Sequence, residues 1–180
     1  MATKEKNVKD IITAVTKAKA KLDKEIPKQQ IEGLRDALRE ELKNAGGIWG
    51  KTIFKQMSTK LGKLQTLFEG CQKIIDPVIP KGQELFVDFG ARAQPVVADL
   101  EKLSYKFRCA ASTMARVGAF CGKIANTEYG TSEHHAFVDT DDFNRRNDYI
   151  TILQNRIDDE LAYFERAFTD VVNAANALLA

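Results

Sequence analysis

The segment ITILQNRIDDELAYFERAFTDVVNAANAL, residues 150–178, carries the periodicity that decides the fold. Nine apolar positions recur there at steps of three or four residues, and the mean step is 3.5. They are Ile150, Leu153, Ile157, Leu161, Phe164, Phe168, Val171, Ala175 and Leu178. This step is typical of a helix that packs along a continuous seam against other helices.

The same helical spacing recurs in four earlier segments, residues 4–26, 28–45, 48–75 and 82–126. The prolines of DPVIP, residues 76–80, predict the end of the third helix, because proline cannot continue the hydrogen-bond ladder.

Pro95 lies inside the fourth of these segments. It predicts either one long helix with a kink or a new helix that has Pro95 in its first turn. Residues 127–139 break every period and predict a loop, after which Asp139 or Thr140 caps the last helix.

No long segment alternates with a period of two residues, which argues against a sheet. The expected architecture is therefore all-α: an elongated antiparallel bundle of four to five long amphipathic helices. We expect residues 1–180 to form a single helical-bundle domain.

Charge is distributed unevenly along the chain. Residues 1–81 carry 17 basic and 10 acidic side chains, whereas residues 127–180 carry 4 basic and 11 acidic ones. The two segments either pack side by side and neutralise each other or favour head-to-tail self-association. The net charge of the whole chain is +2, so nothing global indicates a nucleic-acid partner.

Cys71, Cys109 and Cys121 are odd in number and lack CxxC spacing, which fits buried thiols in a reducing compartment. The first ten residues show no signal-peptide pattern. We therefore expect a cytoplasmic protein, with peripheral attachment to a membrane as an option.

Catalytic constellations are not evident in the sequence. His134 and His135 are adjacent in the predicted loop, and adjacent side chains point apart, so they form a poor metal pair. Cys71 and Cys121 fall on core faces, where a thiol is inert. We expect no enzymatic activity, no metal site and no cofactor. The acids Asp158, Asp159 and Glu160 are interpreted as a solvent-exposed face of the last helix.

The first candidate surface is the basic region, residues 43–63, which holds five lysines and no acid. A basic amphipathic helix with an aromatic residue near one end can lie on an anionic bilayer or a partner protein, although every bundle helix also needs an apolar stripe for its core. The candidate contact residues are Trp49, Lys51, Phe54, Lys55, Lys60 and Lys63.

The second candidate surface is the small-residue segment, RCAASTMARVGAFCGKIA, residues 108–125. Small side chains that recur every four residues allow two helices to approach closely, in water or in lipid. The segment is interpreted either as a close-packing helix or as one that leaves the bundle and inserts into a membrane. The residues concerned are Ala111, Ala115, Gly118, Ala119 and Gly122.

The sequence shows two resemblances to known protein families. The pentapeptide GIWGK, residues 47–51, is similar to the Trp-Gly-basic core of the BH1 motif in the Bcl-2 family, but no second motif accompanies it and it is treated as chance. The all-helical pattern with two amphipathic or apolar segments resembles α-helical pore-forming cytolysins in shape, not in motif.

These observations predict a non-catalytic helical-bundle protein that acts by binding a protein partner, a second copy of itself or an anionic membrane. The alternative is a pore-forming or membrane-disrupting protein that inserts residues 108–125.

Overall fold

The computed structural model describes residues 2–26, 32, 33, 36, 40, 51–126 and 140–180; the side chains of residues 2, 51–53, 124, 140–154, 156 and 157 are excepted. The α-helices are α1 (Ala2–Glu25), α2 (Lys51–Ile75), α3 (Ile79–Phe89), α4 (Gln94–Ala125) and α5 (Thr140–Leu179). No strand occurs within these ranges, so the all-α prediction is confirmed for the described part of the chain.

The helices pack on one another, and their polar contacts give their directions. Lys4, near the start of α1, donates a hydrogen bond to the backbone oxygen of Asp88, while Lys21, near its end, covers Gly70. Helix α1 therefore runs antiparallel to α2 and α3. Gln83 reaches Glu101 and Asp76 accepts from Ser104, so the chain from Asp76 through α3 runs antiparallel to α4.

Helix α2 ends at Ile75, directly before DPVIP, as the prolines of that segment predict, but further helical turns follow at once. Asp76–Val78 forms a single 3-10 turn, and α3 starts directly after it at Ile79. Pro77 and Pro80 each lie in the first positions of the element that follows, where a missing N–H breaks no helical hydrogen bond. The Ser104 hydroxyl of α4 holds the turn by donating to the carboxylate of Asp76.

The chain reverses between α3 and α4. Gly90 caps α3 with φ of +59°, a conformation that side chains with a Cβ rarely adopt, and a 3-10 turn covers Gly90–Ala93. Pro95 is then the second residue of α4. Of the two alternatives for Pro95, the structure supports a new helix with the proline in its first turn.

The chain divides into two compact units. Unit 1 comprises Met1–Ile26, Gln65–Ser112 and Glu160–Ala180, and unit 2 comprises Pro27–Leu64 and Thr113–Asp159. The single domain, the count of four to five helices and the elongated outline stay predictions. The predicted helix over residues 28–45 and the loop over 127–139 lie almost entirely outside the described residues.

Unit 1 is centred on an aromatic layer made of Phe68, Phe107, Phe164 and Phe168, all buried. Phe107 and Phe164 stack with ring centroids 4.2 Å apart, and Phe68 lies 5.5 Å from Phe164. The layer joins α2, α4 and α5. The 3.5-residue step of the last helix correctly places Phe164, Phe168, Val171, Ala175 and Leu178 in the core.

Candidate functional site

The apolar stripe of the basic region is core. Phe54, Met57, Leu61 and Leu64 are each at most 3% exposed, so this face of α2 has no surface left for a partner. The apolar stripe of a helix in a bundle is normally buried in this way. Phe54, one of the candidate contact residues, therefore contacts the chain's own interior.

The lysines of the basic region lie on the outer side of the same helix. Lys55 and Lys63 are exposed, and Lys60 is half-buried. Lys51 is the first residue of α2, while Lys43 and Trp49 lie outside the described residues. The exposed surface of the described part of the basic region therefore carries positive charge and no large apolar side chain.

The small-residue segment belongs to α4, and two of its glycines lie against α2. The Ser58 hydroxyl donates a hydrogen bond of 2.8 Å to the backbone oxygen of Gly118. A Cβ built on Gly118 would lie 3.4 Å from Cβ of Leu61, and one built on Gly122 would lie 3.2 Å from Oγ of Ser58. We call this contact the glycine seam: Ser58, Leu61, Gly118 and Gly122.

The alanines of the segment are not all part of that contact. Ala111 is buried, Ala115 is half-buried and Ala119 is exposed. An alanine every four residues drifts around the helix, because four residues turn through more than one full turn. Ala119 therefore contributes to no close approach in the described part of the chain.

The three cysteines differ in accessibility. Cys71 and Cys121 are buried, and burial raises the pKa of each thiol to about 12. The Cys71 thiol also donates to the backbone oxygen of Ala18. Thiols with so high a pKa are poor nucleophiles at neutral pH. Cys109 is half-buried.

Metal-ligating side chains do not gather in the described ranges: no group of three His, Cys, Asp or Glu residues lies close enough to hold an ion. His134 and His135 fall outside those ranges. The absence of a metal, a cofactor and an active site thus stays a prediction.

A polar interface between α1 and α3 was not anticipated from the sequence. Asn7 donates to a carboxylate oxygen of Glu84, and Lys81 pairs with Asp10. The hydrogen bond from Lys81 lowers the pKa of the Asp10 carboxyl. Period-based reasoning places such residues on polar faces, but it does not identify which two faces meet.

Glu160 corrects the interpretation of the acids on the last helix. Asp158 and Asp159 are exposed, but Glu160 is buried, and its carboxylate lies 3.1 Å from the ammonium of Lys106. Lys106 also lies over the ring of Tyr163, 5.1 Å from its centroid. The second carboxylate oxygen of Glu160 has no hydrogen-bond partner among the described residues.

Two inter-helical ion pairs within unit 1 also bear on the charge asymmetry. Lys81–Asp10 lies within the basic first part of the chain, and Lys106–Glu160 joins the middle to the last part. Neither pair joins the basic first part to the acidic last part.

A search for membrane-spanning helices among the described residues finds none that combines sufficient length with sufficient hydrophobicity. Comparisons of the chain with protein-family models, with curated proteins and with solved structures each find no match.

Proposed function

We propose that this chain is a non-catalytic binding protein, built as an antiparallel helical bundle, that attaches to an anionic membrane surface through the basic region of α2. The proposal depends on one observation: the two sides of that helix have different surroundings. Its apolar side is buried in the chain, while Lys55 and Lys63 project into solvent.

The burial of the apolar side determines the kind of attachment. Because the apolar face of the helix is already buried in the core, the helix gains little free energy from inserting into lipid, and its attraction to a bilayer is electrostatic. Each lysine near an anionic surface contributes about 1 kcal/mol, and the contribution fades beyond the screening length of about 8 Å at physiological salt. Attachment of this kind is peripheral, reversible and sensitive to salt.

The test is co-sedimentation with vesicles of phosphatidylcholine that contain about one third phosphatidylserine, at low and at high salt. We expect binding at low salt that is lost at high salt. Lys55→Gln combined with Lys63→Gln should weaken it by about 30-fold, at about fivefold for each lysine. The matched control is Lys73→Gln combined with Lys102→Gln, which removes the same charge from exposed positions outside the region.

Trp49, the single tryptophan of the sequence, provides an independent readout. Its emission should shift to the blue when vesicles are added and return when salt is raised, if the basic region meets headgroups. Wild-type protein that does not sediment with vesicles at any salt concentration would refute the membrane proposal and redirect the search to a protein partner.

Leakage from the same vesicles tests the alternative function. A peripheral protein should release no trapped dye. Dye release would favour insertion of residues 108–125, a change that would have to draw Met114, Val117 and Cys121 out of their buried positions.

A further inference from the structure

Helix α1 carries a second set of exposed lysines, which we call the α1 lysine row: Lys6, Lys9, Lys17 and Lys24. Lys6 and Lys17 are eleven residues apart, and Lys17 and Lys24 are seven apart. Both spacings return to nearly the same side of a helix with 3.6 residues per turn, and Lys9 lies beside that line. The row therefore forms one basic stripe on the outside of α1.

The inward lysines of α1 are used within the molecule, in contrast to those of the row. Lys4 bonds to the backbone of Asp88 and lies over the Phe89 ring, and Lys21 pairs with Glu25. Lys9, Lys17 and Lys24 form no ion pair with any residue in the described ranges. Their charge is available to another molecule.

Few acids on α1 reduce the charge of the row. Asp10 pairs with Lys81, and Glu25 pairs with Lys21. Lys6, four residues before Asp10, also helps to lower the pKa of that carboxyl, so the charge of Lys6 is partly offset within the helix. Glu5 and Asp23 are exposed and project from the helix about 100° away from the line through Lys6, Lys17 and Lys24. Glu5 nevertheless lies four residues before Lys9, only about 40° around the helix from it, so the full charge of the row rests mainly on Lys17 and Lys24.

The residues between the lysines indicate what kind of anion fits. Thr13 and Ala20 are exposed on the same side, and no aromatic or large apolar side chain interrupts the row. Stacking on aromatic rings and bidentate arginine contacts, which proteins use to hold nucleic acid bases, are both missing from it. Spaced point charges on small polar neighbours suit phosphate headgroups, which lysine binds without a fixed geometry.

The row is also long enough to cover several headgroups. Lys6 and Lys24 are eighteen residues apart, which corresponds to about 27 Å of helix. Lys17 and Lys24 are seven residues apart, or about 10.5 Å of helix, which exceeds the screening length of about 8 Å at physiological salt. These two lysines therefore act as separate contacts whose effects add.

We propose that the α1 lysine row is a second membrane contact, which lies flat on the anionic phospholipid headgroups of a bilayer. This proposal rests on the proposed function, because both assume that the protein binds an anionic membrane. It assigns the contact to residues of unit 1 instead of unit 2, so an experiment can refute the contact through α1 without refuting the contact through α2.

The test compares variants of the full-length chain by co-sedimentation with the vesicles described above. Lys17→Gln combined with Lys24→Gln should lower the partition onto vesicles by about 30-fold, at about fivefold for each lysine. The control pair, Lys73→Gln with Lys102→Gln, should change it by less than about threefold, since it alters only the long-range field. Circular dichroism at rising temperature should show unchanged folding, because all four side chains are exposed.

The outcomes separate the two proposals. Equal losses in the row variant and the control pair would overturn the second contact, because net charge alone would then explain binding. Loss only in the Lys55 and Lys63 variant would overturn it as well, while the proposed function would stand.

Loss only in the row variant would support the second contact and move the function away from α2. Wild-type protein that binds duplex DNA at the same salt, but not the vesicles, would overturn the membrane assignment for both surfaces.

Discussion

The aromatic layer of unit 1 and the glycine seam of unit 2 hold helices together in opposite ways. In the layer, Phe107 and Phe164 stack and fill the space between helices with side-chain volume. In the seam, Gly118 and Gly122 have no side chain, and the neighbouring helix occupies that space. The first contact is sensitive to loss of volume, and the second is sensitive to added volume.

The largest effect is expected from Phe107→Ala. Phe107 is fully buried and contacts three other aromatic rings, so the substitution leaves a cavity that the helices cannot close. We expect a loss of about 3–5 kcal/mol in the free energy of unfolding, measured by urea denaturation. Tyr105→Ala is the control: this side chain on the same helix is 63% exposed, and its removal should cost less than about 0.5 kcal/mol. Similar losses for both variants would show that the layer is not a packed core.

The next effect concerns the glycine seam. Gly118→Leu adds a side chain where even a Cβ would touch Leu61 and the Ser58 backbone, and we expect it to destabilise the protein by about 1–3 kcal/mol. Gly62→Ala in α2 is the control, because a Cβ there meets nothing within 4 Å. That change should stabilise the protein by about 0.5–1 kcal/mol through helix propensity. A tolerated leucine at position 118 would contradict the close approach of the two helices.

A smaller effect should follow from Ser58→Ala, which removes the hydrogen bond to the backbone oxygen of Gly118. A loss of about 1 kcal/mol is expected in the same denaturation assay. The substitution also removes the oxygen that a Cβ at Gly122 would approach. Gly122→Ala should therefore cost less in the Ser58→Ala background than in the wild-type protein. A double-mutant cycle with no coupling would place Ser58 away from Gly122.

The smallest expected effect is a local change in the labelling rate of the buried cysteines, which distinguishes the aromatic layer from the glycine seam. Each unit contains one buried thiol, Cys71 in unit 1 and Cys121 in unit 2. Labelling of a buried thiol requires local opening, so its rate reports on the stability of its surroundings. Cys109 should react first in the wild-type protein. Phe107→Ala should accelerate Cys71 most and Gly118→Leu should accelerate Cys121 most, as measured by mass spectrometry of labelled peptides.

Alkaline pH should act on both units alike. The pKa of each buried thiol is raised from 9.0 to about 12, so the folded state favours the protonated form. This contribution to stability is fully present below pH 9 and is lost as the pH rises toward 12. Replacing either cysteine with alanine should therefore flatten the fall of the unfolding midpoint over that range.

The sequence predicts the helical faces well because burial follows the helical period. Spacing alone predicts that Phe164, Phe168 and Val171 belong to the core, and all three are buried. The same reasoning fails for Glu160, whose burial depends on Lys106 of another helix. The spacing of apolar residues describes the faces of a single helix. The burial of a charged side chain depends on a partner from another helix, which spacing does not identify.

The candidate surfaces show the same limit. Spacing suggested that Gly118 and Gly122 allow a close approach, but not that Ser58 lies opposite them. Spacing also could not decide whether Phe54 belongs to a core or to a binding surface, because the same stripe serves both. The prolines of DPVIP correctly mark the end of α2, but they do not show that new helical turns follow at once. Each proline falls in the first turn of a new element, where it breaks no hydrogen bond.

The tight reversal at Gly90 has a consequence for the order of folding. It brings Gln83 and Glu101 together across eighteen residues, whereas Lys4 reaches Asp88 across eighty-four. Closing a short loop loses less chain entropy than closing a long one, so contacts near in sequence tend to form early. We expect the α3–α4 hairpin to be the first tertiary structure to form during refolding, and α1 to dock onto it afterwards.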